Sequence, residues 1–188
     1  MKNPINIHTP ITKDICEELN VGDMVLLSGS IITGRDVAHK RFSRLIAEGR
    51  DFPVEIDGAT IFYAAPTPAR PGRVIGSIGP TTSYRMDEYA PDLMRLGLRG
   101  MIGKGKRSPE VRAAIMKYKA VYFGAMGGVA ALMAGCVRRA EVIAYEDLGP
   151  EAIMRLEIEK FPLIVINDTR GRDLYEEVAK CRTDAYNR

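Results

Sequence analysis

The chain has no tryptophan, two histidines and three cysteines among its 188 residues. Cys16, Cys136 and Cys181 stand far apart, with no Cys-x-x-Cys spacing. That scarcity excludes a disulfide framework and a local metal knuckle, and predicts three reduced thiols. A charge of one sign is also missing, since 27 Lys and Arg against 24 Asp and Glu leave +3. So small an excess gives no electrostatic footprint for nucleic acid. The densest basic run, Arg99 to Arg107, is broken by glycines and apolar residues, and no aromatic-rich basic strand lies nearby to stack bases. Long apolar runs are absent as well. The longest, around Val121 to Met133, is interrupted by glycines and too short to cross a bilayer. Met1-Lys2-Asn3-Pro4 lacks the apolar core of a signal peptide, so the expected location is cytoplasmic, with no membrane partner.

What is present is ordinary globular material: 46% hydrophobic and 27% charged residues, enough to bury a core. Without repeats or linkers, residues 1–188 read as one domain. Ile5 to Pro10 reads as an edge strand or arm, and Thr12 caps a short helix to Leu19. Asp23–Ser28 reads as a buried strand entering a polar loop. From Asp36 the apolar spacing turns helical, with Val37, Ala38, Phe42, Leu45 and Ile46 on one side. Val54–Ile56, Asp57-Gly58 and Thr60–Tyr63 spell a hairpin with a tight turn. A proline-rich loop over 66–71 and a short strand Arg73–Ile78 follow.

Met86, Tyr89, Leu93 and Leu96 are spaced for a helix that Pro91 splits in two. Gly100–Gly103 is a brief strand, and Ser108-Pro109-Glu110 is a helix start with a serine cap. Further strands are expected at Ala120–Phe123, Glu141–Tyr145 and Leu163–Asn167. Helices are expected at Val129–Cys136, Pro150–Lys160 and Asp173–Cys181. A hairpin followed by alternating strands and helices predicts an α/β domain with a mixed sheet flanked by helices.

Three strand-end loops combine glycine, hydroxyls and a cation: Ser28–Asp36, Gly79–Asp87 and Gly103–Ser108. Ligands of open α/β sheets collect beyond strand ends, where backbone donors and helix N-termini converge. Several cations there suggest an anion with more than one negative group, gripped bidentately by arginine and as a point charge by lysine. Arg35 sits at a helix start, where the helix dipole disfavours a cation, so ligand binding is a reason for its placement. His39 lies one turn on, although a histidine beside Lys40 and Arg41 is ordinarily a surface residue.

Thr81 and Thr82 suit helix capping. Thr81, with Arg85 four residues on, also suits a base whose anion a neighbouring cation stabilises. Lys104 between Gly103 and Gly105 lacks the spacing of a nucleotide P-loop. Gly124–Gly128 is no dinucleotide fingerprint and reads as a tight turn. Gly171-Arg172-Asp173 repeats the Gly34-Arg35-Asp36 tripeptide, a match short enough for coincidence.

The ordered set Thr33–Arg41, Gly79-Pro80-Thr81-Thr82 with Arg85-Met86, and Gly103-Lys104-Gly105, with Tyr63-Ala64-Ala65-Pro66, resembles the class I fumarase family. The resemblance spans residues 5 to about 180. It is to the β subunit, equivalent to the C-terminal domain of single-chain enzymes, and the L-tartrate dehydratase β subunit shares the scheme. It implies a swivelling β/β/α domain and reversible hydration of fumarate to S-malate. It implies Thr81 as catalytic base, with Arg35, Arg85 and Lys104 binding the substrate's carboxylates. His39 matches a histidine treated in the family as an active-site residue. A [4Fe–4S] cluster is implied as Lewis acid. The scattered cysteines agree with a cluster carried by a partner α subunit, this chain supplying no metal ligand and being inactive alone. Alternatives are tartrate as substrate, or a non-catalytic anion-binding or regulatory module. Self-association is left open.

Overall fold

The structure is a computed structural model describing residues 3–125 and 130–186, excepting the side chains of 183–186. Its strands are β1 (Ile5–His8), β2 (Met24–Thr33), β3 (Thr60–Phe62), β4 (Gly100–Gly103), β5 (Val121–Gly124), β6 (Val137–Ala144) and β7 (Ile153–Asn167). The helices are α1 (Lys13–Glu18), α2 (Asp36–Glu48), α3 (Ala90–Arg95), α4 (Pro109–Tyr118), α5 (Ala130–Gly135) and α6 (Leu174–Tyr186), with 3-10 turns at Ser83–Met86 and Glu146–Glu151. The sheet runs β1-β2-β3-β4-β5-β7-β6, parallel from β1 to β5 and antiparallel around β7. Because β7 also pairs with β2, the strands β2-β3-β4-β5-β7 close on one another and leave β1 and β6 at the margins. This is the expected mixed α/β sheet flanked by helices.

Successive side chains in a strand face opposite sides, and here both sides are apolar. Phe62, Ile102, Val121 and Phe123 share one core with Phe161 and Val165. Ile61, Met101 and Tyr122 point the other way, into a second core with Phe42 of α2, Leu93 of α3 and Ile115 of α4. Sheets covered on both faces read as continuous apolar runs, and β5 (Val-Tyr-Phe-Gly) is buried at every residue. Burying each phenylalanine contributes roughly 1.5–3 kcal/mol.

Four expectations fail, each for a physical reason. The Asp57-Gly58 turn forms, but β3 leaves it to run parallel between β2 and β4, and Val54–Ile56 is no strand. Ile56 instead joins the second core, while Gly58 bonds the Gly97 carbonyl and accepts from Ile11. Non-local partners thus take the turn's hydrogen-bonding capacity. Arg73–Ile78 is no strand either, because that segment closes a loop on itself through Thr67 N–H to the Ser77 carbonyl. The polar loop expected from Gly29 is strand instead. Gly29 (φ 106°) marks a register shift that lets β2 bend and continue to Thr33.

The helix expected over 150–160 is the first half of β7. Its apolar residues pair with β2 and β6 rather than making a helical stripe, and Lys160 at φ 49° lies where the strand bends. The other elements fall where expected within a few residues, with Pro91 at the start of α3. Val37 departs from its helix's buried side, being 42% exposed. The turn expected over 124–128, and the first residue of the helix expected from Val129, lie partly outside the described residues.

Candidate active site

Because β2, β3, β4 and β5 run parallel, their C-terminal ends lie along one edge. The chain leaving each end bonds the neighbouring strand: Gly34 N–H to Phe62 O (3.0 Å), Tyr63 N–H to Ile102 O (2.9 Å) and Ala125 N–H to Gly103 O (2.9 Å). The 79–87 segment lies against this edge. Thr81 N–H bonds Tyr63 O (2.6 Å), Thr82 bridges Lys104 in parallel, and Ser83 N–H bonds Lys104 O (2.9 Å). Gly103 makes the approach possible, because a Cβ there would stand 1.9 Å from Ser83 Oγ. Thr81 is therefore held at the end of β3, one residue before the Thr82–Lys104 bridge. Neither threonine caps: Thr82 precedes the 3-10 turn in extended conformation without a side-chain bond, which corrects the capping expectation.

Arg35 occupies the N-cap position of α2 without a capping bond. Its Nη1 lies 3.2 Å from Glu151 Oε1 and its Nε 3.9 Å from Asp36 Oδ2, while Arg85 Nε lies 2.7 Å from Asp36 Oδ1. The two arginines thus flank one aspartate, itself favourably placed in the first turn of a helix. Arg35 Nε, Asp36 Oδ2 and Glu151 Oε2 are buried with no hydrogen-bond partner in the structure. Buried polar atoms are normally paired, so this corner retains capacity to bind. Lys104 is exposed and makes no ion pair among the described residues.

His39 is fully buried, which corrects the surface reading. Its Nδ1 lies 2.9 Å from the Arg35 carbonyl, an acceptor only, so Nδ1 carries the proton and Nε2 is a buried acceptor without a partner. Its ring packs edge-on 5.3 Å from Tyr63. Burial pushes its pKa down to about 4; the carbonyl bond opposes the shift and the Arg107 charge adds to it. At neutral pH the ring is uncharged and props the backbone of Arg35.

Sequence reading missed four participants. Asp36 and Glu151 pair the arginines. Arg107, the end of the densest basic run, turns inward onto Asp87 (2.6 Å), and Tyr122 reaches the Gly105 carbonyl (2.9 Å). No local spacing reveals these pairs, which lie 17 to 116 positions apart.

The residues of this chain do not fit an iron–sulfur cluster. Cys16 is enclosed in the first core, its pKa raised to about 12 by burial, and Sγ points to the Arg99 carbonyl. Cys136 and Cys181 lie elsewhere, and among the described residues no three metal-binding side chains converge. Nor is any helix among the described residues long and apolar enough to cross a membrane.

Parallel strand ends and the segment laid against them define an α/β domain that gathers two arginines, a lysine and a threonine along one edge. Comparison with known proteins makes this specific. Residues 1–178 match the family model described as fumarase C-terminus, and the chain belongs to that family. It is 37% identical over 180 residues to the anaerobic class I fumarate hydratase of Escherichia coli, covering 93% of this chain and 32% of that protein. It is 35% identical over 180 residues to the mitochondrial fumarate hydratase 1 of Leishmania major. A putative L(+)-tartrate dehydratase subunit beta of Methanocaldococcus jannaschii is 37% identical over 176 residues, 90% of each chain. The chain thus spans about a third of the fumarate hydratases it matches (32%) and nearly all of a β subunit.

Proposed function

We propose that this chain is one half of a hydro-lyase for a four-carbon dicarboxylate, supplying the catalytic base and carboxylate-binding cations to a complex with a cluster-bearing chain. The observation that carries the proposal is the backbone stitch that holds Thr81 on Tyr63 and bridges the next residue, Thr82, to Lys104, with Arg85 at the far end of the same segment and Arg35 joined to it through Asp36.

In this reading Arg35 and Arg85 hold one substrate carboxylate through charge-assisted bonds. Lys104 supplies a point charge for the other. Thr81 takes the proton from the carbon beside a carboxylate. A threonine hydroxyl is a weak base unless cations stabilise its anion, which is the service of Lys104 and Arg85. His39 acts from behind, its Nδ1–H holding the Arg35 carbonyl. The Lewis acid implied by the family comes from the partner chain, since no three metal-binding side chains converge among the described residues of this one.

Fumarate, giving S-malate, is the leading substrate because most of the relatives above are fumarate hydratases. Tartrate is the second reading, favoured by the length match to a tartrate dehydratase β subunit. The test is reconstitution with the cluster-bearing partner and assay on both acids. Thr81→Ala is expected to lower kcat about 10²–10⁴-fold with KM little changed. A change confined to KM would make Thr81 a binding residue and sink the base assignment.

A further inference from the structure

The loops carrying Thr81 and Lys104 are tied together beneath the surface by side chains to which the mechanism gives no role. The Arg107 side chain is fully enclosed. Its Nε donates to Asp87 Oδ1 (2.6 Å), its Nη1 reaches Tyr63 OH (3.4 Å), and its guanidinium lies near the rings of Tyr63 (5.3 Å) and Tyr122 (5.0 Å). The other Asp87 oxygen accepts the Ser108 N–H (2.6 Å), at the cap of α4. Asp87 thus joins the end of the 79–87 segment to the end of the 103–108 segment.

A second tie crosses higher up. Tyr122 OH donates to the Gly105 carbonyl (2.9 Å) and stands 2.9 Å from Ser83 Oγ. A phenol has one proton, so with Gly105 receiving it, Ser83 must be the donor to Tyr122. The chain Ser83–Tyr122–Gly105 therefore fixes the residue two after Thr81 against the residue one after Lys104. Burying a charge such as Arg107 costs several kcal/mol unless its hydrogen bonds are good. An apolar side chain would fill the space without that cost, but it would leave Asp87 Oδ1 without its donor.

We propose that Arg107 and Tyr122 are positioning residues of the reaction: with Asp87 and Ser83 they form a buried clamp that sets the separation of Lys104 from Thr81. The proposal rests on the hydro-lyase reading above. The clamp itself does not touch substrate. It acts through geometry, where an ångström of misplacement can cost about 10²-fold in rate.

Tyr122→Phe is the cleanest probe, since it deletes one hydroxyl and keeps the buried ring. In the reconstituted complex it is expected to lower kcat about 10–100-fold while KM moves little. Arg107→Lys, which keeps the charge and one bond to Asp87, should retain more activity than Arg107→Met. Amide hydrogen exchange should quicken at Ser83, Gly105 and Ser108 in Tyr122→Phe, with the amides of α2 unchanged. A purely structural role predicts otherwise: kcat per folded molecule stays at the wild-type value and activity falls only with the folded fraction. That result, or unchanged exchange in the two loops, overturns the clamp. A wild-type complex that turns over neither fumarate nor tartrate overturns the hydro-lyase reading instead, and with it the clamp's catalytic meaning.

Discussion

Gly-Arg-Asp occurs three times in this chain; two copies, Gly34-Arg35-Asp36 and Gly171-Arg172-Asp173, each stand between a strand and a helix, and the other, Gly49-Arg50-Asp51, follows the end of α2. In the Gly171 copy the polar groups are taken up internally. Arg172 donates from Nε to Asp168 (2.7 Å) and from Nη2 to Asn20 (2.8 Å). Asp173 accepts from the Tyr175 and Glu176 amides at the start of α6 and from Asn167. Asp168, fully buried, also accepts from the amides of Val21, Arg170 and Arg172. In the first copy, Arg35 Nε and Asp36 Oδ2 are buried with no hydrogen-bond partner, and the ion pairs reach Glu151 and Arg85. The tripeptide is the same, but the surroundings complete one copy and leave the other open. Structural motifs close their own hydrogen bonds, whereas binding motifs keep some in reserve.

The sharpest way to break this comparison is to remove an anchor from each side. Arg35→Ala should lower kcat/KM in the reconstituted complex about 10²-fold, equivalent to ~3 kcal/mol. Its urea midpoint should scarcely move, because partly exposed ion pairs contribute little to stability. Asp168→Ala should do the reverse. It is expected to cost about 3 kcal/mol of stability, because it strips a buried carboxylate from an arginine and three amides, with activity per folded molecule intact. If both variants lose stability alike, the open copy is structural too and the contrast collapses.

Sequence spacing exposed the parts of this molecule that rest on local physics. The Thr12 and Ser108 caps and the α2 stripe depend on neighbours within a turn or two. The failures share the opposite character. The 54–63 hairpin and the 150–160 helix satisfied local rules, but partners distant in sequence claimed their backbones. The site divides in the same way. Arg35 and Lys104 stand in glycine-marked loops at strand ends, so their type and setting were readable, whereas Thr81 and Arg85 reach the same edge on a segment that follows no strand. Glu151 and Tyr122 are an unremarkable glutamate before β7 and a core aromatic on β5 until the fold brings them to the edge. His39 was the hardest, because its basic neighbours Lys40 and Arg41 suggest solvent while the ring turns inward onto Tyr63.

His39 also gives the open copy a pH dependence of its own. Its folded pKa of about 4 lies below the 6.5 of an unperturbed imidazole. Between those values the unfolded chain binds a proton that the folded chain refuses. The stability that neutral His39 confers is therefore complete above pH 6.5 and lost as pH falls toward 4. From neutrality to pH 5 the loss is about 2 kcal/mol. Urea unfolding at both pH values measures it, and His39→Gln should flatten the difference. An equal slope in the variant would assign the acid sensitivity to other groups.

The finest distinction lies in the two glycines. Gly171 has φ 81°, and a Cβ there would sit 2.5 Å from Met116 Sδ. The left-handed backbone costs an L-residue about 1–2 kcal/mol, and the flexible thioether can yield. Gly171→Ala should therefore destabilise by about that amount. Gly34 is not among the positive-φ residues, and its Cβ would stand 3.4 Å from His39 Cε1 and from Ile61 Cγ2, ordinary contact distances. With no backbone strain to relieve, Gly34→Ala should leave stability unchanged or raise it by about 0.4–1 kcal/mol, through the lower entropy of the unfolded chain. Unfolding midpoints of the two variants, measured side by side, decide the matter. If Gly34→Ala is the more damaging, the contact with His39 has no slack, and the ring is held more tightly than its unpartnered Nε2 suggests.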